Sequence, residues 1–133
     1  PSDPSTPVGD GETILVVEDD PDVRLVTVSR LEGLGYRVKI AVDGASALEV
    51  LGRSPEVQLA LVDVVMPGGM DGHALADEIE KRNPRIRIVL TSGYSPRMAT
   101  AGGRTSRPFL PKPSTRAQLA QMVRGTLYPV SGA

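Results

Sequence analysis

The 133 residues include no cysteine, no tryptophan, a single histidine and a single phenylalanine. Without cysteine there is no disulfide framework and no thiolate chemistry. With His73 as the lone imidazole, a classical zinc site is excluded as well. The lack of cysteine fits a reducing compartment, so the expected location is the cytoplasm, whether or not a parent protein is itself membrane-anchored. No apolar run approaches the roughly 20 residues of a membrane-spanning helix, so no direct membrane contact is expected of this segment. The formal net charge is −1, which gives no electrostatic case for nucleic acid or an acidic membrane surface. Neither a G-x-x-x-x-G-K-[ST] nor a G-x-G-x-x-G phosphate-binding loop is present.

What the chain does have is a repeated alternation of short apolar runs and helical patterns. Residues 1–12 are rich in Pro, Ser and Gly and read as a linker or disordered arm. That arm, and a start at Pro1 rather than Met, lead us to expect a piece of something longer, with another domain before it. Residues 13–128 read as one domain and 129–133 as a loose tail. Ile14–Val17 is a first strand, ending in Glu18-Asp19-Asp20-Pro21. Asp20 followed by Pro21 is a helix start, with Leu25, Val28, Leu31 and Leu34 on the inner face and Gly35 as the stop. Tyr36–Val42 alternates like a strand near a sheet edge, and Ala47, Leu48 and Leu51 mark a second helix ending near Gly52.

The third strand, Leu59-Ala60-Leu61-Val62-Asp63-Val64-Val65-Met66-Pro67, is apolar on both faces and interrupted by one carboxylate. A strand buried on both sides of a parallel sheet reads this way. A charge there is expensive unless it stands at the strand end, and Pro67 cannot extend a ladder. On this stretch alone a helix-capping or loop aspartate is the competing reading. After a loop through Gly72, Asp71 caps a helix with Leu75, Ala76 and Ile79 inward, and Asn83-Pro84 ends it. His73 is read as a surface residue of this helix. Ile86–Ser92 is strand four, a weak helix is expected near Pro96–Ala101, and Phe109-Leu110 is a brief fifth strand. Thr115 and Gln118 form a capping box before a last helix lined by Leu119, Met122, Val123 and Leu127. Five strand–helix alternations predict an α/β fold, a parallel sheet with helices on both faces.

In such a sheet Glu18 and Asp19, Asp63, Thr91 and Ser92, and Lys112 all fall at one rim. Three carboxylates crowded together need a cation, and an all-oxygen site with few fixed ligands suits Mg²⁺. Metal, ammonium and hydroxyl around one carboxylate are the parts that stabilise a transferring phosphoryl group, with Asp63 as nucleophile.

The motifs Val16-Val17-Glu18-Asp19-Asp20, Asp63-Val64-Val65-Met66-Pro67, Met70-Asp71-Gly72, Ser92-Gly93 and Lys112-Pro113 occur in order. Together they resemble the receiver domain of two-component response regulators, over residues 13–128. The resemblance implies a flavodoxin-like, doubly wound five-stranded sheet of order 2-1-3-4-5. It implies that Asp63 takes a phosphoryl group from a phosphohistidine, on a histidine kinase or a histidine phosphotransfer protein. It implies Mg²⁺ held by Glu18, Asp19, Asp63 and the Val65 carbonyl, Lys112 paired with the phosphoryl group, and a Lys112–Pro113 bond that can be cis. Ser92 is the switch hydroxyl, with Thr91 as its competitor, and Phe109 the aromatic that follows it inward. Val65 and Tyr94 fall where the family tunes dephosphorylation. Neither offers a carboxylate or amide to orient water, so slow self-hydrolysis is expected.

Gly68-Gly69 is an apparent one-residue insertion, and the weak fourth helix puts family-like dimerisation in doubt. Asp20 is read as a cap only. A docking module that keeps the fold without phosphorylation is the rival function. A phosphatase with an aspartyl-phosphate intermediate fits less well, because position 65 is Val. The forms around Ser92 and Lys112 look like the C-terminal receiver of a hybrid sensor histidine kinase, with a stand-alone regulator as the alternative. Such a domain on its own catalyses only its own phosphorylation and dephosphorylation. The oligomeric state is left open.

Overall fold

A computed structural model describes residues 7–66, 70–93 and 107–129. Strand β1 (Thr13–Val17) is buried along its whole length, as its unbroken apolar run requires. It lies between β2 (Arg37–Ala41) and β3 (Val57–Asp63), followed by β4 (Arg87–Ser92) and β5 (Phe109–Pro111), giving the order β2-β1-β3-β4-β5. All four neighbouring pairs are parallel, so the polar residues that end β1, β3, β4 and β5 share one edge. The alternating strand β2 is at the sheet's flank, where only half its residues need cover.

Helices α1 (Pro21–Gly33) and α4 (Arg116–Leu127) cover one face, and α2 (Gly44–Arg53) and α3 (Gly72–Arg82) the other. Strand alternation divides the core accordingly. Ile14, Val16, Leu59, Leu61 and Val89 meet Leu31, Leu119 and Val123. Leu15, Val17, Ala60, Val62 and Leu90 meet Ala47, Leu75 and Ile79.

The predicted caps are in place. Asp20 accepts from the N–H groups of Asp22 and Val23, Asp71 from Ala74, and Thr115 and Gln118 bond reciprocally. Gly35, at φ +100°, adopts the left-handed conformation that ends α1. Residues 9–12 lie against this corner: Gly9 N–H donates to Leu34 O, Gly11 N–H to Gly35 O, and Glu12 is buried beneath Tyr128 and Arg124.

Two side-chain expectations are overturned. Leu25 is not on the inner face of α1 but 68% exposed. Its spacing of three from Val28 hides the reason: each such step lags a full turn by about 60°, so Leu25 stands roughly opposite Leu34. His73 is not a surface residue but buried at the start of α3. It lies one turn before the buried Ala76, on the inward face, and only its polarity suggested exposure. Pro67, Gly68-Gly69, Tyr94, the Pro96–Ala101 helix and the tail from Val130 lie outside the described residues.

Candidate functional site

Asp63 closes β3 and Glu18 follows directly on β1, so their side chains leave adjacent strands at the same edge. Both are buried, while Asp19 beside them is exposed. One carboxylate oxygen from each of the three lies within 4.8 Å of the others. Asp20 is turned away into its cap, and only its N–H enters the site, donating to Glu18 Oε2 at 3.2 Å. The backbone N–H of Val65 donates to Asp63 Oδ1 at 3.1 Å, with the Val65 side chain exposed.

Lys112 arrives from the opposite end of the chain. Its backbone N–H donates to Ser92 O at 2.9 Å, and the Lys112–Pro113 bond is cis. Its ammonium reaches Glu18 Oε1 at 2.6 Å and Asp63 Oδ2 at 3.1 Å. Burial alone would lower its pKa, but the hydrogen bond to Glu18 and the charge of Asp63 outweigh that and hold it above the usual ammonium range. For Glu18, burial first and the Asp63 charge second raise the carboxyl above its usual value, against the bonds from Lys112 and Asp20.

With all three acids ionised, one ammonium leaves two negative charges uncompensated. A compact all-oxygen set with excess negative charge fits a hard divalent cation, and the residues that would hold Mg²⁺ are Glu18, Asp19 and Asp63. The Val65 carbonyl, two residues beyond Asp63, is the further ligand that the family resemblance implies.

The two hydroxyls at the end of β4 are separated by the sheet's alternation. Thr91 Oγ1 donates to Leu110 O at 2.6 Å. Ser92, buried, is on the opposite face, that of Leu90. Phe109 pairs with Leu90 in the sheet register and packs half-buried against the same cluster. Ser92 and Phe109 therefore share a face that Thr91 does not.

Arg24 and Arg30 escape sequence reading, and Gly72 is read there only as part of the Met70-Asp71-Gly72 motif, without its packing role. Arg24 and Arg30 of α1 bond the loops that carry the acids and Lys112. Gly72 lets α3 approach so closely that a Cβ there would lie 2.5 Å from Asp63 O. A glycine directly after the capping Asp71 was the signal that could have found that role.

The chain matches the Response regulator receiver domain family over residues 14–124. It is similar to the sensor kinase CckA of Brucella abortus, 38% identical over 128 residues, covering 92% of this chain and 13% of that protein. It is 42% identical over 82 residues to the response regulator receiver protein CpdR of Brucella abortus, covering 62% of this chain and 67% of that one. Among solved structures, the receiver domain of NtrX from Brucella abortus aligns with a TM-score of 0.80 at 30% identity, covering 88% of this chain and 99% of that chain. The chain thus spans about an eighth of the kinase it resembles.

Proposed function

Because the chain belongs to the response regulator receiver domain family, the phosphorylation modules of two-component signalling, we propose that Asp63 is its phosphoacceptor and that Glu18, Asp19, Asp63 and the Val65 carbonyl hold Mg²⁺ beside it. The donor is a phosphohistidine on a histidine kinase or phosphotransfer protein. An Asp63 carboxylate oxygen attacks phosphorus, the phosphorus–nitrogen bond breaks, and the departing imidazole keeps the bonding pair and takes a proton. Bound Mg²⁺ supplies charge neutralisation at the phosphoryl oxygens. Lys112, already 3.1 Å from Asp63 Oδ2, exchanges that partner for a phosphoryl oxygen. Ser92 donates its hydroxyl to another, and Phe109, on the same face, repacks as Ser92 moves.

The observation that carries this reading is the meeting of Lys112 with both Glu18 and Asp63 across 94 and 49 positions of sequence. A docking module without phosphorylation has no use for that arrangement. Incubation with acetyl phosphate and Mg²⁺, read by intact mass, is expected to add one phosphoryl group that Asp63→Asn does not acquire. Labelling of Asp63→Asn, or none of the unaltered chain, sinks the proposal.

For the parent protein we propose a hybrid histidine kinase. The similarity to CckA and to the sensor protein TorS of Escherichia coli, 32% identical over 119 residues, supports it. A stand-alone regulator like CpdR is the alternative. No helix among the described residues is long and apolar enough to cross a membrane, and the cytoplasm is the proposed location.

A further inference from the structure

Helix α1 contributes no group to the acid cluster, yet two of its arginines bond the loop that carries Glu18 and Asp19 and the loop that follows Lys112. Arg24 directs one terminal nitrogen, Nη1, at two consecutive backbone carbonyls, Glu18 O at 2.9 Å and Asp19 O at 3.4 Å. Six residues on, Arg30 donates through Nη1 to Ser114 O at 2.7 Å, two residues after Lys112. The grip on that second loop is reciprocal, since Arg116 at the start of α4 reaches back to Gly33 O at 3.4 Å.

The choice of residue at position 24 needs a reason. A guanidinium this close to three carboxylates opposes the entry of a divalent cation by simple Coulomb repulsion. Its terminal nitrogen, however, carries two hydrogens and so can donate to both carbonyls at once where the backbone turns. Glu18 and Asp19 sit where the chain leaves β1 and has not yet entered α1. The Glu18 N–H is held by Ala41 O at 3.0 Å, while Arg24 holds the carbonyls of both acids. Asp19 itself is exposed, so little packing holds its side chain apart from that backbone.

Building on the phosphoacceptor reading above, we propose that Arg24 and Arg30 are positioning residues of the site. Arg24 aims the Glu18–Asp19 pair at the metal position, and Arg30 fixes the loop from which Lys112 reaches Asp63. Neither touches the phosphoryl group. The geometric benefit of Arg24 outweighs its electrostatic cost to the cation.

The sign of a metal-binding experiment separates the two effects. Calorimetric titration of the full chain with MgCl₂ is expected to show Arg24→Gln binding about 10-fold more weakly than the unaltered chain, the scale of outer-shell ligand supports. Arg24→Lys, which keeps the charge and one donor, is expected to fall between them. An arginine acting only through its charge gives the opposite result, tighter Mg²⁺ binding in Arg24→Gln. Tighter or unchanged binding there overturns the inference.

Arg30→Gln is expected to keep near-native Mg²⁺ affinity and to slow labelling by acetyl phosphate. Equal loss of Mg²⁺ affinity in both variants, with urea midpoints lowered alike, indicates general loosening and also overturns it. Failure of the unaltered chain to take up Mg²⁺ strikes the phosphoacceptor reading itself, a separate and recognisable outcome.

Discussion

The ammonium of Lys112, just past β5, stands 3.1 Å from Oδ2 of Asp63 at the end of β3, with β4 between the two strands. It is the one cation bonded to these carboxylates among the described residues, and its removal leaves Glu18 and Asp63 facing each other buried and uncompensated. Lys112→Met is therefore expected to destabilise the fold by about 2 kcal/mol, less than a fully enclosed pair because Lys112 is partly exposed. Asp63→Asn relieves the same repulsion and is expected to leave stability unchanged or higher. Urea unfolding in EDTA tests both signs, and added Mg²⁺ is expected to restore Lys112→Met more than it stabilises the unaltered chain.

Gly72 is the second fixed point of the site. A methyl group there meets Asp63 O at 2.5 Å and Val64 Cα at 2.6 Å, both backbone atoms that cannot step aside. Gly72→Ala is expected to cost about 1–3 kcal/mol by overpacking and to displace Asp63. Thermal unfolding reads the first effect and acetyl phosphate labelling the second.

At the end of β4 the two hydroxyls are expected to behave differently. Thr91→Val removes the 2.6 Å bond to Leu110 O and leaves that carbonyl to find another partner, at about 1 kcal/mol. It is not expected to abolish the phosphorylation-dependent change. Ser92→Ala is expected to be mild in stability and to uncouple Phe109, seen as loss of the shift in its ring resonances on phosphorylation. The reverse pattern makes Thr91 the switch.

Val65 donates its N–H to Asp63 but presents an exposed aliphatic side chain, two residues beyond the proposed phosphoacceptor. Nothing in that side chain orients a water molecule for attack. The phosphorylated chain is expected to be long-lived, and Val65→Asn to shorten the lifetime several-fold, followed by intact mass over time. An unchanged lifetime removes Val65 as the cause.

Away from the site, Glu12 gives the fold an acid-sensitive tie. Burial alone would raise its pKa, but the Tyr128 hydroxyl, the Asp10 and Glu12 N–H groups and Arg124 together bring it below the ordinary glutamate value. A depressed carboxyl contributes stability above its unfolded-state pKa and loses it as pH falls through the folded value. Urea midpoints measured from pH 6 down to 3 are expected to decline less steeply in Glu12→Gln than in the unaltered chain. At neutral pH the variant is expected to be the less stable of the two.

The sequence by itself determined the strands, the caps and the order in which acids, hydroxyls and lysine reach strand ends. These are properties of neighbouring residues: the apolar runs 14–17 in β1 and 59–62 in β3, Asp20 before Pro21, Thr115 three before Gln118. Parallel pairing then necessarily gathers Asp19, Asp63 and Lys112 at one edge. Only the tertiary structure decided which contacts form there. Arg24 and Arg30 act on carbonyls, which carry no side-chain signature, and the need for Gly72 arises from a strand that sequence spacing does not place beside it. Leu25 faces outward by helical phase alone, which the sequence already held, whereas His73 faces inward because burial is set by what packs against a helix, and that partner comes from elsewhere in the chain.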